Sequence, residues 1–544
     1  MPFLLIFLSL STAWLLSNIF SLFNNYRQAL TSNLPIIIGL GNPDNYFWIV
    51  LSVPLRRTIE KLTSHSFYDK FFKTTIYGWE FRDKNASHEK MHDRYGPMFL
   101  LVCAGETELW VADPTAAQSI LTRRKDFVQS KMGTKIMEAL GPNIITSDGD
   151  AWARQRRLIA PNLNERISEV VWTESTTQAA TMAHHLLSQP KGETNTTLEG
   201  LRSIALNVLG QAGYGEPQEW TAGTLATSED AKMTFFDAVS KMIPLMIPVA
   251  ILPSWLLRLG LMPKVLRDVG EAVDEYPGHT TALLDKERAL AKESGEERSN
   301  FIAMLARLSD GDDKADAKSR LTPEEIQGNL FLFTAAGFDT TANTLAYAVT
   351  TLAAKPDLQN WLFEELDHVL PSDLSYETLR VYPAVIHIAR YFHTDQSIKT
   401  CKDSHLIKGP AKVYINAAAL HSDAATWGAD ALDFKPERWF ANTPSPYSPS
   451  PNAEIPELFT PPKGTFIPWS GGPRICPGMK MAQVEFVAVI ATLFRSCKVE
   501  VVCQSGETAE AARGRLVKSM QESQPKLTLQ IENPEDVVLR WLTR

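Results

Sequence analysis

The first 23 residues, MPFLLIFLSLSTAWLLSNIFSLF, carry no charged side chain. About 20 apolar residues span a bilayer as a helix, so residues 1–25 are predicted to form a membrane-spanning anchor. No Lys or Arg precedes the apolar run, unlike a secretory signal. The next charges, Arg27, Arg56, Arg57 and Lys61, place the positive flank on the C-terminal side, which keeps the following chain cytosolic. Residues 26–86 read as a hinge and amphipathic linker. LPIIIGLGNPDN (34–45) is rich in turn formers, and YFWIVLSVPLRR (46–57) is too short to span. From residue 87 to 544 the periodicity is mainly helical, with short strand-like runs such as 98–113. Two helices stand out. Residues 321–356 open with the start signal Thr322-Pro323-Glu324-Glu325 and stop at Pro356. The centre of this stretch is apolar nearly all round, which predicts a helix buried in a large domain. Asp339 and Asn343 within the run argue against a membrane span. Residues 478–497 form a second, largely apolar helix. The charged stretch 308–320 and the Pro- and Ser-rich stretch 442–464 read as exposed loops.

Composition narrows the class. Hydrophobic residues make up 44% and charged residues 21%, an ordinary globular balance, and the net charge of -8 excludes general nucleic-acid binding. The basic clusters Arg123-Arg124-Lys125 and Arg154/Arg156/Arg157 read either as solvated faces or as a docking patch for an acidic partner. Five cysteines without CxxC spacing are not a disulfide framework and fit a reducing compartment.

One of those cysteines is placed unlike the rest. WSGGPRICPG (469–478) sets Cys476 two residues before an apolar helix, where free backbone N–H groups and the helix dipole favour a thiolate. Gly471, Gly472 and Gly478 let the backbone turn tightly and approach a flat partner. Arg474 can bind a carboxylate bidentately. One thiolate, one carboxylate-binding arginine and a close-packed glycine loop suit haem. In the long helix, AAGFDTT (335–341) puts Gly337, Asp339 and Thr340 mid-run. Glycine weakens a helix interior by about 1 kcal/mol, and threonine can bond back to its own turn and bend it. This stretch reads either as a groove for a small ligand or as a kinked core helix. In YETLR (376–380), Glu377 and Arg380 share one helix face, and FKPERW (434–439) offers Arg438.

Together these motifs resemble the cytochrome P-450 family over roughly residue 90 to the C-terminus, in the family's order. WSGGPRICPG is similar to its haem loop F-x-x-G-x-R-x-C-x-G, with Trp469 in the place of Phe, then Gly472, Arg474, Cys476 and Gly478. AGFDT resembles its oxygen-activation segment. Glu377, Arg380 and Arg438 resemble the E-x-x-R helix closed by a PERF or PERW arginine, a structural network under the haem loop. WARQR (152–156) resembles a W-x-x-x-R helix, which places Trp152 and Arg156 near the haem propionates. Arg390 matches a further propionate arginine. The likeness implies a mainly α fold with small β-sheets, a single large haem domain after the anchor. It implies haem b with Cys476 as the axial iron ligand, and electrons from NADPH through a partner reductase.

By the same likeness Thr340 hydrogen-bonds dioxygen and Asp339 relays protons to it. The implied activity is a monooxygenase inserting one oxygen atom from dioxygen into a lipophilic small molecule. The overall style resembles membrane-anchored fungal members of secondary metabolism, single-pass in the endoplasmic reticulum with a cytosolic catalytic domain. Residues 130–146, 235–256, 330–336 and 384–389 would contact substrate, and 242–263 is either a bilayer-dipping segment or ordinary core. One departure stands out: Thr340 and Glu377 are only 37 positions apart, a shorter stretch than membrane-bound members have. The alternatives are a haem-thiolate isomerase, dehydratase or peroxide-driven enzyme, or a non-catalytic haem protein if the short 341–376 region is a real deletion.

Overall fold

A computed structural model describes residues 2–39, 58, 61–63, 91–221, 233–294, 298, 300–310, 320–366, 372–440, 459–525 and 527–544. These form two compact units. The first comprises Met1–Met132, Val385–Leu432 and Pro461–Ile475; the second comprises Gly133–Ala384, Asp433–Thr460 and Cys476–Arg544.

The first unit is built on a five-stranded mixed sheet with strand order β1-β2-β3-β8-β5. Its strands are β1 (Ile36–Ile38), β2 (Met98–Val102), β3 (Thr107–Val111), β5 (His387–Phe392) and β8 (Ala411–Asn416). β2 is buried along its whole length, as a central strand covered on both faces must be. β5 alternates half-buried and buried residues, the period-two pattern of a strand with one covered face. β6 (Gln396–Lys399) and β7 (Ser404–Ile407) form a separate hairpin. Helix α1 (Pro2–Ala29), α2 (Met91–Tyr95) and α3 (Pro114–Thr122) belong to the same unit. The run 98–113 is a β-hairpin as its pattern predicts. The segment read as a hinge instead supplies a strand, with Ile36–Ile38 pairing in parallel with Leu100–Val102.

No helix among the described residues is long and apolar enough to cross a membrane. Ser9, Thr12 and Asn18 interrupt the apolar surface of α1 and bond back to its own carbonyls. Its last turns are taken up by protein: Leu22, Tyr26 and Ala29 pack on the sheet's core. The Asn25 amide donates to the Cys103 carbonyl at 3.0 Å, and Ser21 accepts from the Gly105 N–H at 3.0 Å. The stretch 46–57, most of 308–320 and most of 442–464 lie outside the described residues.

On one face of the sheet, Phe99, Trp110 and Tyr414 pack with His92 and His387. His92 Nδ1 donates to the Gly96 carbonyl. Burial pulls His92 down to about 4, and pulls His387 down to about 3 with the other imidazole adding to it.

The second unit is helical. Its longer helices are α4 (Gly149–Ile159), α5 (Glu165–Ser188), α6 (Thr197–Tyr214), α7 (Phe235–Met242), α8 (Lys264–Ser294), α9 (Phe301–Asp310), α10 (Pro323–Ala354), α11 (Pro356–Leu366), α12 (Ser372–Val381), α13 (Met479–Ser496) and α14 (Ala509–Gln521). Two small sheets, β4 (Glu193–Thr194) with β12 (Leu539–Thr543) and β9 (Cys497–Val501), and the β10 (Ser523–Pro525)–β11 (Leu529–Ile531) hairpin, complete it.

α10 is the spine. Thr322 accepts the Glu325 N–H while Glu325 accepts the Thr322 N–H, a full capping box with Pro323 at the first helical position. It runs unbroken to Ala354, where Pro356 already opens the next helix. Its neighbours cover it almost completely, as its all-round apolar pattern predicts. The loop before α4 crosses it backbone to backbone: a Cβ on Gly328 would stand 2.3 Å from the Gly141 carbonyl oxygen.

Two outcomes follow from this packing. The unfolded chain takes up protons on histidine below about pH 6.5, whereas His92 and His387 stay neutral when folded. Their share of stability is therefore complete above pH 6.5 and is lost as the pH falls towards 4 and then 3. Thermal unfolding across that window is expected to fall less steeply for His92→Gln than for the wild type. Gly328→Ala forces a methyl into a carbonyl and is expected to cost about 1–3 kcal/mol, read as a lower urea midpoint.

Candidate active site

Cys476 stands just before α13. Its sulfur accepts from the Gly478 and Met479 amides, and the Arg156 guanidinium of α4 lies beside it. Burial pushes the thiol above its ordinary value; the Gly478 amide, then Arg156, then the Met479 amide pull it back. The residue is nonetheless open to solvent. Protein thus crowds the thiol while the residue as a whole keeps solvent access. Such a thiol keeps its proton until a cation displaces it, the usual coupling of metal binding to deprotonation. Trp152, one turn from Arg156 on α4, is buried.

The Arg cluster on α4 divides. Arg154 is not a free docking charge: it makes a bidentate pair with Glu325, with one contact at 2.9 Å, and also donates to the Arg320 carbonyl. Gln155 joins Glu325, and Asn329 joins Gln155 while accepting from the Ile144 N–H. The sequence pattern did not reveal this network; Glu325 had been needed only as a cap.

Past its first two turns, α10 is buried all round except along one stripe. Phe333, Ala336, Gly337 and Thr340 keep solvent access, and their spacing of three, one and three residues puts them on a single face. Thr340 lies on that face and donates to the Ala336 carbonyl at 2.8 Å. The expected back-bond is present, without a break in the helix. Asp339 points elsewhere. One oxygen pairs with Arg202 of α6 at 2.7 Å and the other accepts from Thr528 at 2.5 Å.

The predicted structural trio meets. Glu377 takes Arg380 through two bonds of 2.7 and 2.8 Å and Arg438 at 3.2 Å. Trp439 Nε1 at 3.0 Å and the Lys435 N–H at 2.7 Å complete the set. Both Glu377 and Arg380 are wholly buried. The short connection from α11 to α12 therefore still permits this network. Trp439 was missed, although its indole donor sits beside Arg438 in the same motif.

In the first unit, the loop carrying Trp469, Gly472 and Arg474 lies on α3. Gly472 has φ +62, and a Cβ there would stand 2.4 Å from the Leu121 carbonyl oxygen. This glycine is required by the chain's own helix. By contrast, a Cβ on Gly478 in the second unit would meet only the Cys476 sulfur, at 3.9 Å. Trp469 packs edge-on against Phe466, whose ring also contacts His421. His421 accepts the Ile467 N–H at 2.9 Å, fixing the loop. Arg390 on β5 is buried and donates to the Ala389 carbonyl.

Comparison with known proteins decides the family. The family model described as Cytochrome P450 matches residues 71–527. The chain belongs to the cytochrome P450 family. A phomenoic acid biosynthesis cluster cytochrome P450 monooxygenase of Leptosphaeria maculans is 31% identical over 96% of both chains. Cytochrome P450 monooxygenase ORF6 of Penicillium roqueforti is 25% identical over 85% of both. Cytochrome P450 monooxygenase prx9 of Penicillium rubens is also 25% identical, over 87% of both. The protein is thus a P450 monooxygenase, mainly helical with small sheets, and its family implies a haem cofactor. Its donor set fits: an accessible cysteine sulfur held by two amides beside a cation is suited to a thiolate ligand.

Removing Glu377 leaves Arg380 charged and buried without its partner, which typically costs about 3–5 kcal/mol. Glu377→Leu is expected to lower the unfolding midpoint strongly. Glu437→Leu, in the same short helical turn as Arg438, serves as the comparison and should change it little.

Proposed function

We propose that this cytochrome P450 inserts one oxygen atom of dioxygen into a lipophilic small molecule of fungal secondary metabolism. NADPH supplies the electrons through a partner reductase. The observation that carries the reading is the Cys476 sulfur, bound by two amides beside Arg156. The accessible stripe on the otherwise buried α10 supports it. When bound, haem b supplies the redox chemistry that splits dioxygen.

The chain's own residues hold and feed that chemistry. Cys476 would hold the haem iron through its sulfur, which the Gly478 amide steadies. By the family's pattern, Arg474, Arg156, Trp152 and Arg390 would hold the propionates and Trp469 would serve the haem loop, while Gly472 keeps that loop seated on α3. Gly478, with no protein atom but that sulfur near its missing side chain, leaves room for the macrocycle. Glu377, Arg380 and Arg438 keep the supporting turn in place. Thr340 offers a hydroxyl on the accessible face of α10, and Asp339 manages protons one residue away. Positioned acid–base groups typically contribute about 10²–10⁴-fold in rate.

Membrane attachment belongs to the same proposal. Leu10, Trp14, Leu16 and Phe20 of α1 are all at least 60% exposed, an apolar surface that a bilayer would cover. In the second unit Trp255, Leu261 and Val265 are similarly exposed. The proposed setting is the endoplasmic reticulum membrane, with the chemistry on the cytosolic side.

The reduced carbon monoxide spectrum tests the assignment. Wild type is expected to show the red-shifted thiolate Soret band, and Cys476→Ser to lose it while remaining folded by circular dichroism. A Cys476→Ser protein that kept the band would end the proposal.

A further inference from the structure

α10 carries a second, wholly different stripe. Asp339, Asn343, Tyr347 and Thr351 recur every four residues and are all buried. All four meet residues of one C-terminal region: Met520, Ser523 and Thr528. The Thr351 hydroxyl lies 3.4 Å from the Met520 sulfur, and Tyr347 donates to Ser523 at 2.6 Å. Asn343 donates to Thr528 at 2.8 Å, and Thr528 donates to Asp339 at 2.5 Å. The pairs run in order, so α10 and this segment are joined like the two sides of a zip, from the end of α14 into the β10–β11 hairpin.

The last pair is chemically distinct. An Asn side-chain N–H can only donate, so Asn343 obliges Thr528 to spend its own hydrogen on Asp339. The two donors on Asp339 are unequal. Arg202 is a cation, and charge-assisted bonds are roughly twice as strong as neutral ones. Thr528 is neutral, so it is the partner that yields when the hairpin moves. Its chain neighbour Leu527 packs against the apolar cluster that contains Leu330, Phe331, Ala335 and Phe338 of α10. A bulky apolar molecule that displaces Leu527 thus pulls directly on the hydroxyl holding the acid.

We propose that Thr528 is a positioning residue that keys the β10–β11 turn to Asp339, so that a bulky apolar substrate releases one carboxylate oxygen to accept a proton while Arg202 retains the other. This rests on the reading that Asp339 manages protons.

Two variants separate the parts. Thr528→Val keeps the shape without the hydroxyl, and Thr528→Ser keeps the hydroxyl. Amide hydrogen exchange across 523–531 is measured first, in the resting full-length protein. A net hydrogen bond of about 0.5–1.5 kcal/mol corresponds to exchange up to about tenfold faster in Thr528→Val, with Thr528→Ser close to wild type. In reductase-driven turnover of an apolar substrate, Thr528→Val is then expected to alter the solvent isotope effect and to send more electrons to hydrogen peroxide, and Thr528→Ser to restore both. Unchanged exchange in Thr528→Val overturns the clamp. Faster exchange with an unaltered isotope effect and peroxide share overturns its link to the acid. If the wild type lacks the thiolate Soret band, the monooxygenase reading has failed, and the exchange data still decide the clamp.

Discussion

A single buried carboxylate organises the packing of α12 against the 433–439 turn. Glu377 draws in two arginines, an indole and a backbone amide from two stretches of chain more than fifty residues apart. A wholly buried charge is tolerated only when its lone pairs are filled, and here they are. The cost of leaving any donor out is what fixes the 433–439 turn against α12. That demand also explains why a short path between α11 and α12 is compatible with the fold.

α10 shows how one helix can serve several masters. Its bulk is apolar and covered, which makes it rigid. One narrow face stays accessible and bears Thr340, while a polar face at four-residue spacing fastens the C-terminal hairpin. Its first turn caps itself with Glu325 and lends the same carboxylate to Arg154 and Gln155. Because these faces share one helix, the hairpin and the accessible stripe are fastened to the same element.

The sequence was most readable where local chemistry decides structure. Thr322-Pro323-Glu324-Glu325 marks a helix start because capping involves only four neighbouring residues. Cys476 and its glycines stood out because their spacing is rigid and their chemistry rare. Contacts that depend on distant chain were not readable. Nothing near Arg154 announces Glu325, and nothing near Asp339 announces Thr528, 189 positions later. Gly472 is the instructive case. The residue was singled out, but its reason lies in the Leu121 carbonyl of α3, which no local pattern contains. The apolar N-terminus was readable as a helix, but its pattern does not reveal that the last turns belong to the sheet.

That seating of α1 has a mechanical consequence. Asn25 and Ser21 bond to the turn that links β2 to β3, and Leu22 and Tyr26 bury themselves beside the same strands. The helix is therefore a stalk without a swivel. Whatever surface receives its exposed half also sets the pitch of the five-stranded sheet, so the first unit is held at a fixed inclination instead of swinging on a tether.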